Sequence, residues 1–127
     1  MTKPEQIILE YSINTIPKIL FYRLSDPSGL EEWFADEVIL KNDVYTFKWE
    51  KSEQQALLIE NKPDKFIRFK WLDGNDDSFF EFSIQTQELT GDVALRITDY
   101  ADADEKEDII NMWNEQIDNL KHTLGLI

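Results

Sequence analysis

Four stretches of the chain, residues 44–50, 65–71, 79–85 and 93–100, alternate between one apolar and one mainly polar face. Successive side chains of a β-strand point to opposite sides, so this period of two predicts four strands that each bury one face. The rest of the fold must therefore cover one side of a sheet. The buried faces are expected to carry Tyr45, Phe47, Trp49, Ile67, Phe69, Trp71, Phe80, Phe82, Ile84, Val93, Leu95 and Ile97.

Three further strands are predicted at residues 6–13, 37–40 and 55–60, the first with Ile7, Leu9, Tyr11 and Ile13 on its buried face. Short turns between strands imply antiparallel neighbours, and clean alternation implies that one face of the sheet meets water. The predicted turns are Asn42-Asp43, Asn61-Lys62-Pro63-Asp64, Asp73-Gly74-Asn75 and Thr90-Gly91-Asp92.

Two short helices are predicted between the first strand and the second. Asn14 or Thr15 is expected to cap the first helix, because Pro17 suits its first turn and Ile16, Leu20 and Leu24 follow at helical spacing. Asp26 is expected to cap the second helix, with Pro27 in its first position. In this helix Leu30, Trp33 and Phe34 share one side, and Glu31 and Glu32 fall mostly on the other.

A long helix is predicted at the end of the chain, over residues 104–125. Asp104 is expected to cap it with Glu107 three positions later, and Gly125 is placed to end it. Its apolar stripe is Ile109, Ile110, Trp113, Ile117, Leu120 and Leu124. The stripe suits the open face of the sheet, so we predict an α+β fold in which a curved antiparallel sheet of about seven strands wraps around this helix.

Length, charge and composition restrict the class of protein. The 127 residues suffice for one domain, residues 1–127, with a sizeable core. With 13 Lys and Arg against 26 Asp and Glu, the net charge is −13, which disfavours nucleic acid and anionic membrane surfaces as partners. Without cysteine there is no disulfide, thiolate nucleophile or zinc-thiolate site. No signal peptide or membrane-spanning segment is recognisable, so we expect a soluble cytoplasmic protein.

This order of elements, together with SDPSGLEEWF after the first strand and IINMWNEQIDNLKHTLG at the end, resembles the helix-grip fold of the START-like superfamily. Within it, the chain looks most like the branch related to the activator of Hsp90 ATPase. The matching positions are Pro27, Trp33, Phe34, Trp113, Leu120 and Gly125. Because the superfamily includes binders of lipids, sterols, hormones and polyketides, some enzymes and some co-chaperones, the resemblance implies a fold and leaves the function open.

The inward aromatic side chains are the main functional signal. Either they line a cavity between sheet and final helix, or they fill that space at native packing density. The predicted ligand-binding residues are Trp33, Phe34, Tyr45, Phe47, Trp49, Phe69, Trp71, Phe80, Phe82, Asp99, Trp113 and Ile117. Trp33 and Phe34 would seal one end of the cavity, and movement of their helix would admit the ligand.

Polar candidates for catalysis or metal binding are few. Alternation aims Asp99 inward, unless its strand ends earlier and Asp99 belongs to the turn before the last helix. Glu31 and Glu32 diverge by about 100° on a helix and cannot converge on one atom as an acid and base pair. His122 is expected at the surface. The acidic runs 73–77 and 99–108 lack the spacing of an EF-hand, so we predict no metal and no cofactor.

These observations favour a non-enzymatic module that binds a small hydrophobic molecule. The alternative is a protein-interaction domain of the Hsp90-activator kind, with a chaperone-type partner or a homodimer, using the acidic surface or outward aromatics such as Phe66 and Phe79. In the absence of an interface, Phe66 and Phe79 would contact each other across strands. An enzyme would need converging polar groups, for which Asp99, Tyr11 and Tyr45 are the candidates, and we predict no catalytic residue. Arg68 and Arg96 are expected on the outer face, as solvated side chains or as cross-strand partners of Glu81.

Overall fold

The computed structural model describes residues 3–73 and 78–127. Seven strands form one antiparallel sheet in the spatial order β1-β7-β6-β5-β4-β3-β2, with two short helices after the first strand and one long helix at the end. This arrangement confirms the predicted α+β helix-grip fold. The elements are β1 (Glu5–Ser12), α1 (Pro17–Ser25), α2 (Pro27–Leu30), β2 (Glu37–Lys41), β3 (Val44–Trp49), β4 (Ser52–Lys62), β5 (Phe66–Trp71), β6 (Phe80–Thr86), β7 (Val93–Ala101) and α3 (Lys106–Thr123).

The alternating stretches bury the faces that the sequence predicts. Phe47, Phe69, Phe80 and Phe82 are fully buried in the core between sheet and helices. Trp49 and Trp71, the last residues of β3 and β5, are only half-buried because they lie at the end of the sheet. The alternation therefore predicts side-chain direction along the whole strand, but burial only in its middle.

The hairpin turns explain why neighbouring strands are antiparallel. Asn42 and Asp43 join β2 to β3 with φ of 52° and 64°, the left-handed conformations of a tight two-residue turn. Gly91, between β6 and β7, has φ of 75°. The predicted turn at 73–75 lies partly outside the described residues. The predicted start of the turn at Asn61 is wrong, because β4 continues to Lys62.

Strand β4 is longer than its predicted range of 55–60. It runs for 11 residues, with its first part paired to β3 and its last part paired to β5. Its pairing with β5 shifts register between Leu58 and Glu60, as in a β-bulge. The ends of this strand are polar, so they show no hydrophobic alternation that the sequence analysis could detect.

Helix α1 starts without a side-chain cap, so the predicted capping by Asn14 or Thr15 is wrong. Ile16 is the N-cap residue, and Pro17 at the first helical position needs no hydrogen-bond acceptor for its nitrogen. As the cap, Ile16 remains 56% exposed, whereas Leu20 and Leu24 are fully buried.

Helix α2 is capped as predicted, since Asp26 Oδ1 accepts a hydrogen bond from Ser28 N at 2.9 Å. It ends at Leu30, so the prediction that Trp33 and Phe34 belong to it is wrong. Both residues lie in the following turn, where Phe34 N still donates to Leu30 O at 2.8 Å. This turn places both rings in the core.

Helix α3 crosses the inner face of the sheet and buries Trp113, Ile117 and Leu120. Its N-cap residue is Glu105, with no side-chain hydrogen bond, so the predicted capping by Asp104 is wrong. The helix ends at Thr123, and Gly125 just beyond it adopts the predicted terminating left-handed conformation, with φ of 74°. Leu126 N then donates a hydrogen bond to Lys121 O at 2.9 Å. No helix in the described ranges is long and apolar enough to cross a membrane.

Candidate functional site

The middle of the space between sheet and α3 is filled by aromatic rings. The rings of Phe69 and Phe80 stack with centroids 4.7 Å apart, and Tyr45 meets Phe69 edge-on at 5.1 Å. Six predicted ligand-binding residues are packed in this core and do not line the cavity described next: Tyr45, Phe47, Phe69, Phe80, Phe82 and Ile117. This region therefore resembles an ordinary protein interior.

A cavity of about 590 Å³ lies at one end of the sheet, against the first half of α3. Five of the predicted ligand-binding residues line it. Trp49 and Trp71 come from the ends of β3 and β5, Asp99 from the end of β7, Trp113 from α3, and Phe34 from the turn after α2. These five residues thus come from five separate parts of the fold, and they include three of the four tryptophans.

Asp99 lies inside β7, which runs to Ala101, so its carboxylate faces inward as alternation predicts. The alternative, in which the strand ends before Asp99, is wrong. Asp99 Oδ2 accepts a hydrogen bond from Trp113 Nε1 at 2.8 Å, and Oδ1 accepts one from Tyr100 N at 2.8 Å. Burial raises the pKa of Asp99 because it disfavours the charged form, while the hydrogen bonds from Trp113 and Tyr100 offset part of this effect.

The turn after α2 is tied to both sides of the fold. Phe34 O accepts a hydrogen bond from Trp49 Nε1 at 2.8 Å and another from Gln116 Nε2 at 3.3 Å. One carbonyl therefore joins this turn to β3 and to α3. Trp33, in contrast, does not line the cavity, and its Nε1 donates to Arg23 O at 2.7 Å.

Glu31 and Glu32 make separate structural contacts. Glu31 Oε2 accepts a hydrogen bond from Val38 N at 3.0 Å, which holds the start of β2. Glu32 Oε1 lies 3.5 Å from Arg23 Nη2. The two carboxylates do not face a common atom, in agreement with the prediction that they are no acid and base pair.

The three candidates for catalysis have different hydrogen-bond partners. The Tyr11 hydroxyl donates to Asn114 Oδ1 at 2.7 Å, and burial together with the Asp118 carboxylate raises its pKa. The Tyr45 hydroxyl donates to Ser25 O at 2.7 Å. Of the three, only Asp99 lines the cavity, so they form no common catalytic arrangement.

The predicted cross-strand contact between the outward residues Phe66 and Phe79 is wrong. Strand register pairs Phe66 with Ser83, at the far end of the β5–β6 hairpin from Phe79. Phe79 instead packs on Tyr100, with ring centroids 5.3 Å apart, and lies 4.3 Å below the guanidinium of Arg68. Both phenylalanines are half-buried.

The charged side chains on the outer face pair across strands. Arg68 Nη2 lies 2.8 Å from Glu81 Oε1, as predicted for this pair, and Arg96 Nη2 lies 3.3 Å from Glu10 Oε1. His122 is exposed near the end of α3. In the described part of the chain, no group of three or more His, Asp or Glu side chains is arranged to hold a metal ion.

Sequence reasoning missed several cavity residues. Ile109 was assigned to the core stripe of the last helix, whereas Met112 and Gln116 were assigned no role. Asp102 and Glu105 were interpreted only as part of an acidic turn and helix start. All five line the cavity. Their common signal is that they lie just beyond Asp99 or on the same side of the last helix as Trp113.

Comparison with known proteins assigns the family. Residues 1–126 match the START-like superfamily domain. The chain belongs to the START-like superfamily. This START-like chain is 39% identical to a Bacteroides fragilis protein with a solution NMR structure, covering 97% of this chain and 93% of that one with a TM-score of 0.69.

Two more distant structures share the START-like fold. The Aha1 dimer from Colwellia psychrerythraea is 15% identical, with 92% of this chain and 93% of that chain covered and a TM-score of 0.79. The protein MLL2253 from Mesorhizobium loti is 17% identical, with coverages of 95% and 97% and a TM-score of 0.78. No curated protein matches the sequence. The predicted resemblance to START-like proteins, including an Aha1 relative, is confirmed.

Proposed function

We propose that this protein is a non-enzymatic binding module for a small apolar or amphipathic molecule, lipid-like or aromatic, held between the end of the sheet and α3. The observation that carries the proposal is the cavity of about 590 Å³ with its aromatic wall. Cavities of roughly 300–1,000 Å³ with apolar walls and a few polar groups are typical of small-molecule sites. START-like domains commonly bind hydrophobic ligands.

The polar groups of the wall support binding rather than simple packing. The indole N–H groups of the wall residues Trp49 and Trp113 each have an acceptor inside the protein. Trp71 also lines the cavity, and its indole N–H is a hydrogen-bond donor that would orient a ligand.

Ligand entry is proposed to involve the turn after α2. Phe34 lines the cavity, and its carbonyl accepts hydrogen bonds from Trp49 and Gln116, which hold the turn against β3 and α3. Opening the turn beside Phe34 would break at least these two hydrogen bonds and would uncover the cavity. Residues 1–127 are proposed to form one domain of a cytoplasmic protein, in keeping with the absence of cysteine from the sequence.

Filling the cavity tests the proposal. Native mass spectrometry of the gently purified protein would reveal a ligand that copurifies, and the neutral fluorescent probe N-phenyl-1-naphthylamine would report on the empty site. We expect the wild type to bind the probe and Ile109→Trp to lose most of this binding, because Ile109 lines the cavity and the larger side chain would occupy it.

Asn111→Trp is the matched control, since Asn111 lies on the same helix, is exposed and does not line the cavity. It should bind the probe as the wild type does. Absence of both copurifying ligand and probe binding in the wild type would refute the proposal. If Ile109→Trp and Asn111→Trp bound the probe equally well, the probe would bind outside this cavity.

A second candidate function is protein interaction, which an apolar stripe on α1 and its cap supports. Ile16, Ile19 and Tyr22 are spaced three residues apart and are 56%, 44% and 44% exposed. Exposed apolar stripes of this kind are frequent in protein interfaces.

Sedimentation equilibrium of the wild type and of Ile19→Glu tests for a homodimer. The wild type should dimerise and the variant should be monomeric. A monomeric wild type excludes the homodimer.

A further inference from the structure

The charged side chains that line the cavity all carry carboxyl groups. Asp73, Asp99, Asp102 and Glu105 contribute to the wall, and none of the Lys, Arg or His residues in the described ranges does. Attraction and repulsion are both stronger where protein partly replaces water. An anionic ligand would therefore be disfavoured and a cationic one favoured at this site.

Two basic side chains near the cavity, Lys106 and Arg68, have acidic partners outside its wall. Lys106 follows Glu105 in α3, but its Nζ lies 3.8 Å from Glu5 Oε2. Arg68 approaches the cavity residue Phe79 from the outer face and is paired with Glu81. Neither of these two side chains therefore neutralises a carboxyl group of the wall.

The aromatic wall is also suited to a cation. Trp71 stacks on Phe80, with centroids 4.6 Å apart, and the half-buried indole lines the cavity. The electron-rich face of tryptophan is the best aromatic partner for an ammonium group within about 6 Å. Arg68 already makes such a contact with Phe79, at 4.3 Å from the ring centre. Aromatic faces and carboxyl groups thus favour the same class of ligand.

We propose that the ligand of this cavity is an organic cation, a small molecule with a primary or quaternary ammonium group on an apolar body. The ammonium group lies between the tryptophan wall and the carboxyl groups, and the apolar body contacts Phe34 and Ile109. This inference rests on the proposed function, because it concerns the same cavity. A bound cation would also favour the ionised form of Asp99, which burial otherwise disfavours.

Three probes that share one apolar body separate charge from hydrophobicity. The probes are 1-naphthylmethylamine, 1-naphthylmethanol and 1-naphthoate, with affinities measured by isothermal titration calorimetry at neutral pH. At about 0.15 M salt we expect the amine to bind at least about tenfold tighter than the alcohol, and the acid to bind weakest. The advantage of the amine should shrink at higher salt, because ions screen its attraction to the carboxyl groups.

A pair of double variants assigns the effect to the cavity. Asp102→Asn with Glu105→Gln removes two carboxylates from the wall, and Asp104→Asn with Glu107→Gln removes two exposed ones from the same end of α3 that do not line it. The first variant should bind the amine about tenfold more weakly and the alcohol unchanged. The second should bind both as the wild type does.

The outcomes distinguish the two proposals. Equal binding of amine and alcohol, or tighter binding of the acid, would overturn the preference for cations and leave the binding module standing. Binding of none of the three probes would overturn both. Equal weakening by the two double variants would show that net charge, and not the cavity wall, determines the affinity, and would also overturn the inference.

Discussion

Trp113 Nε1 donates a hydrogen bond of 2.8 Å to Asp99 Oδ2 and thereby joins the middle of α3 to the end of β7 at the wall of the cavity. Trp113 is 2% exposed, whereas Asp99 is half-buried at the cavity wall. A carboxylate in such a place is costly to ionise unless donors face it. The pair therefore links the packing of α3 to the ionisation of Asp99.

Trp113→Phe is expected to raise the pKa of Asp99 further, because it removes a hydrogen bond that stabilises the ionised form while the burial remains. A pH titration followed by carboxyl ¹³C NMR measures this pKa directly. Trp33→Phe removes an indole that bonds to Arg23 O instead and should leave the titration of Asp99 unchanged. A lower or unchanged pKa in Trp113→Phe would contradict the assigned role of the hydrogen bond.

The Tyr45 phenol predicts a loss of stability in alkali. Burial, with Asp26 and Asp43 nearby, raises its pKa from 10.0 to about 12. A raised pKa means that the folded state holds this proton more tightly, so the stabilisation is complete below pH 10 and is lost as the pH rises to about 12. At about 1.4 kcal/mol per pKa unit, up to roughly 3 kcal/mol is at stake.

Urea unfolding of wild type and Tyr45→Phe between these pH values tests this prediction. The difference in free energy of unfolding between the two proteins should shrink as the pH rises, because only the wild type has this phenol to ionise. Other tyrosines and lysines titrate in both proteins and cancel in the comparison. Parallel pH profiles would show that Tyr45 does not have the raised pKa.

Phe82→Ala should destabilise the fold by about 3–5 kcal/mol, the usual cost of removing a buried aromatic ring. Phe82 is fully buried, and its ring contacts Phe80 and Trp113 at centroid distances of 5.8 and 5.7 Å. Chemical denaturation followed by circular dichroism gives the change. Leu89→Ala is the control, because Leu89 is 98% exposed and should matter by less than about 0.5 kcal/mol. Similar losses in the two variants would refute the packed core.

Gly29→Ala should destabilise the fold by about 1–3 kcal/mol or more, because α1 and α2 meet at this residue without space for a methyl group. An added Cβ would collide with Tyr22 O and lie 2.8 Å from Arg23 Cα, and neither backbone atom can rotate away. Ser28→Ala, at the exposed neighbouring position, keeps the backbone N–H that Asp26 accepts and should cost little. Thermal denaturation compares the two variants. A Gly29→Ala protein as stable as the wild type would mean that α1 and α2 can move apart to make room for the methyl group.

The sequence predicted the fold well, because its strands follow one simple rule. Each inward residue from Tyr45 to Ile97 in the alternating stretches faces the core or the cavity wall. The turns at Asn42-Asp43 and Gly91 were recognisable since few other residues adopt positive φ. These signals are local, so they can be interpreted without knowledge of the whole structure.

The cavity was less predictable, because its position depends on distant parts of the chain. Alternation predicts that the side chains of Phe69 and Trp71 point to the same face of the sheet. It does not predict that Phe69 is covered by other side chains while Trp71 lines an open cavity. That difference is set by where α3 crosses the sheet. The N-cap residues Ile16 and Glu105 are hard to predict for a different reason, since neither makes a side-chain hydrogen bond of the kind that a capping motif in the sequence indicates.

The order of the strands has a consequence for synthesis of the chain on the ribosome. Strand β1 is made first, yet its sheet neighbour is β7, and Glu5 pairs with Ala101. Pairing between such distant segments is slow, because a long loop must close first. The backbone groups of β1 that pair with β7 therefore have to wait until β7 has emerged, and a nascent chain that stops before β7 would leave β1 without its partner strand.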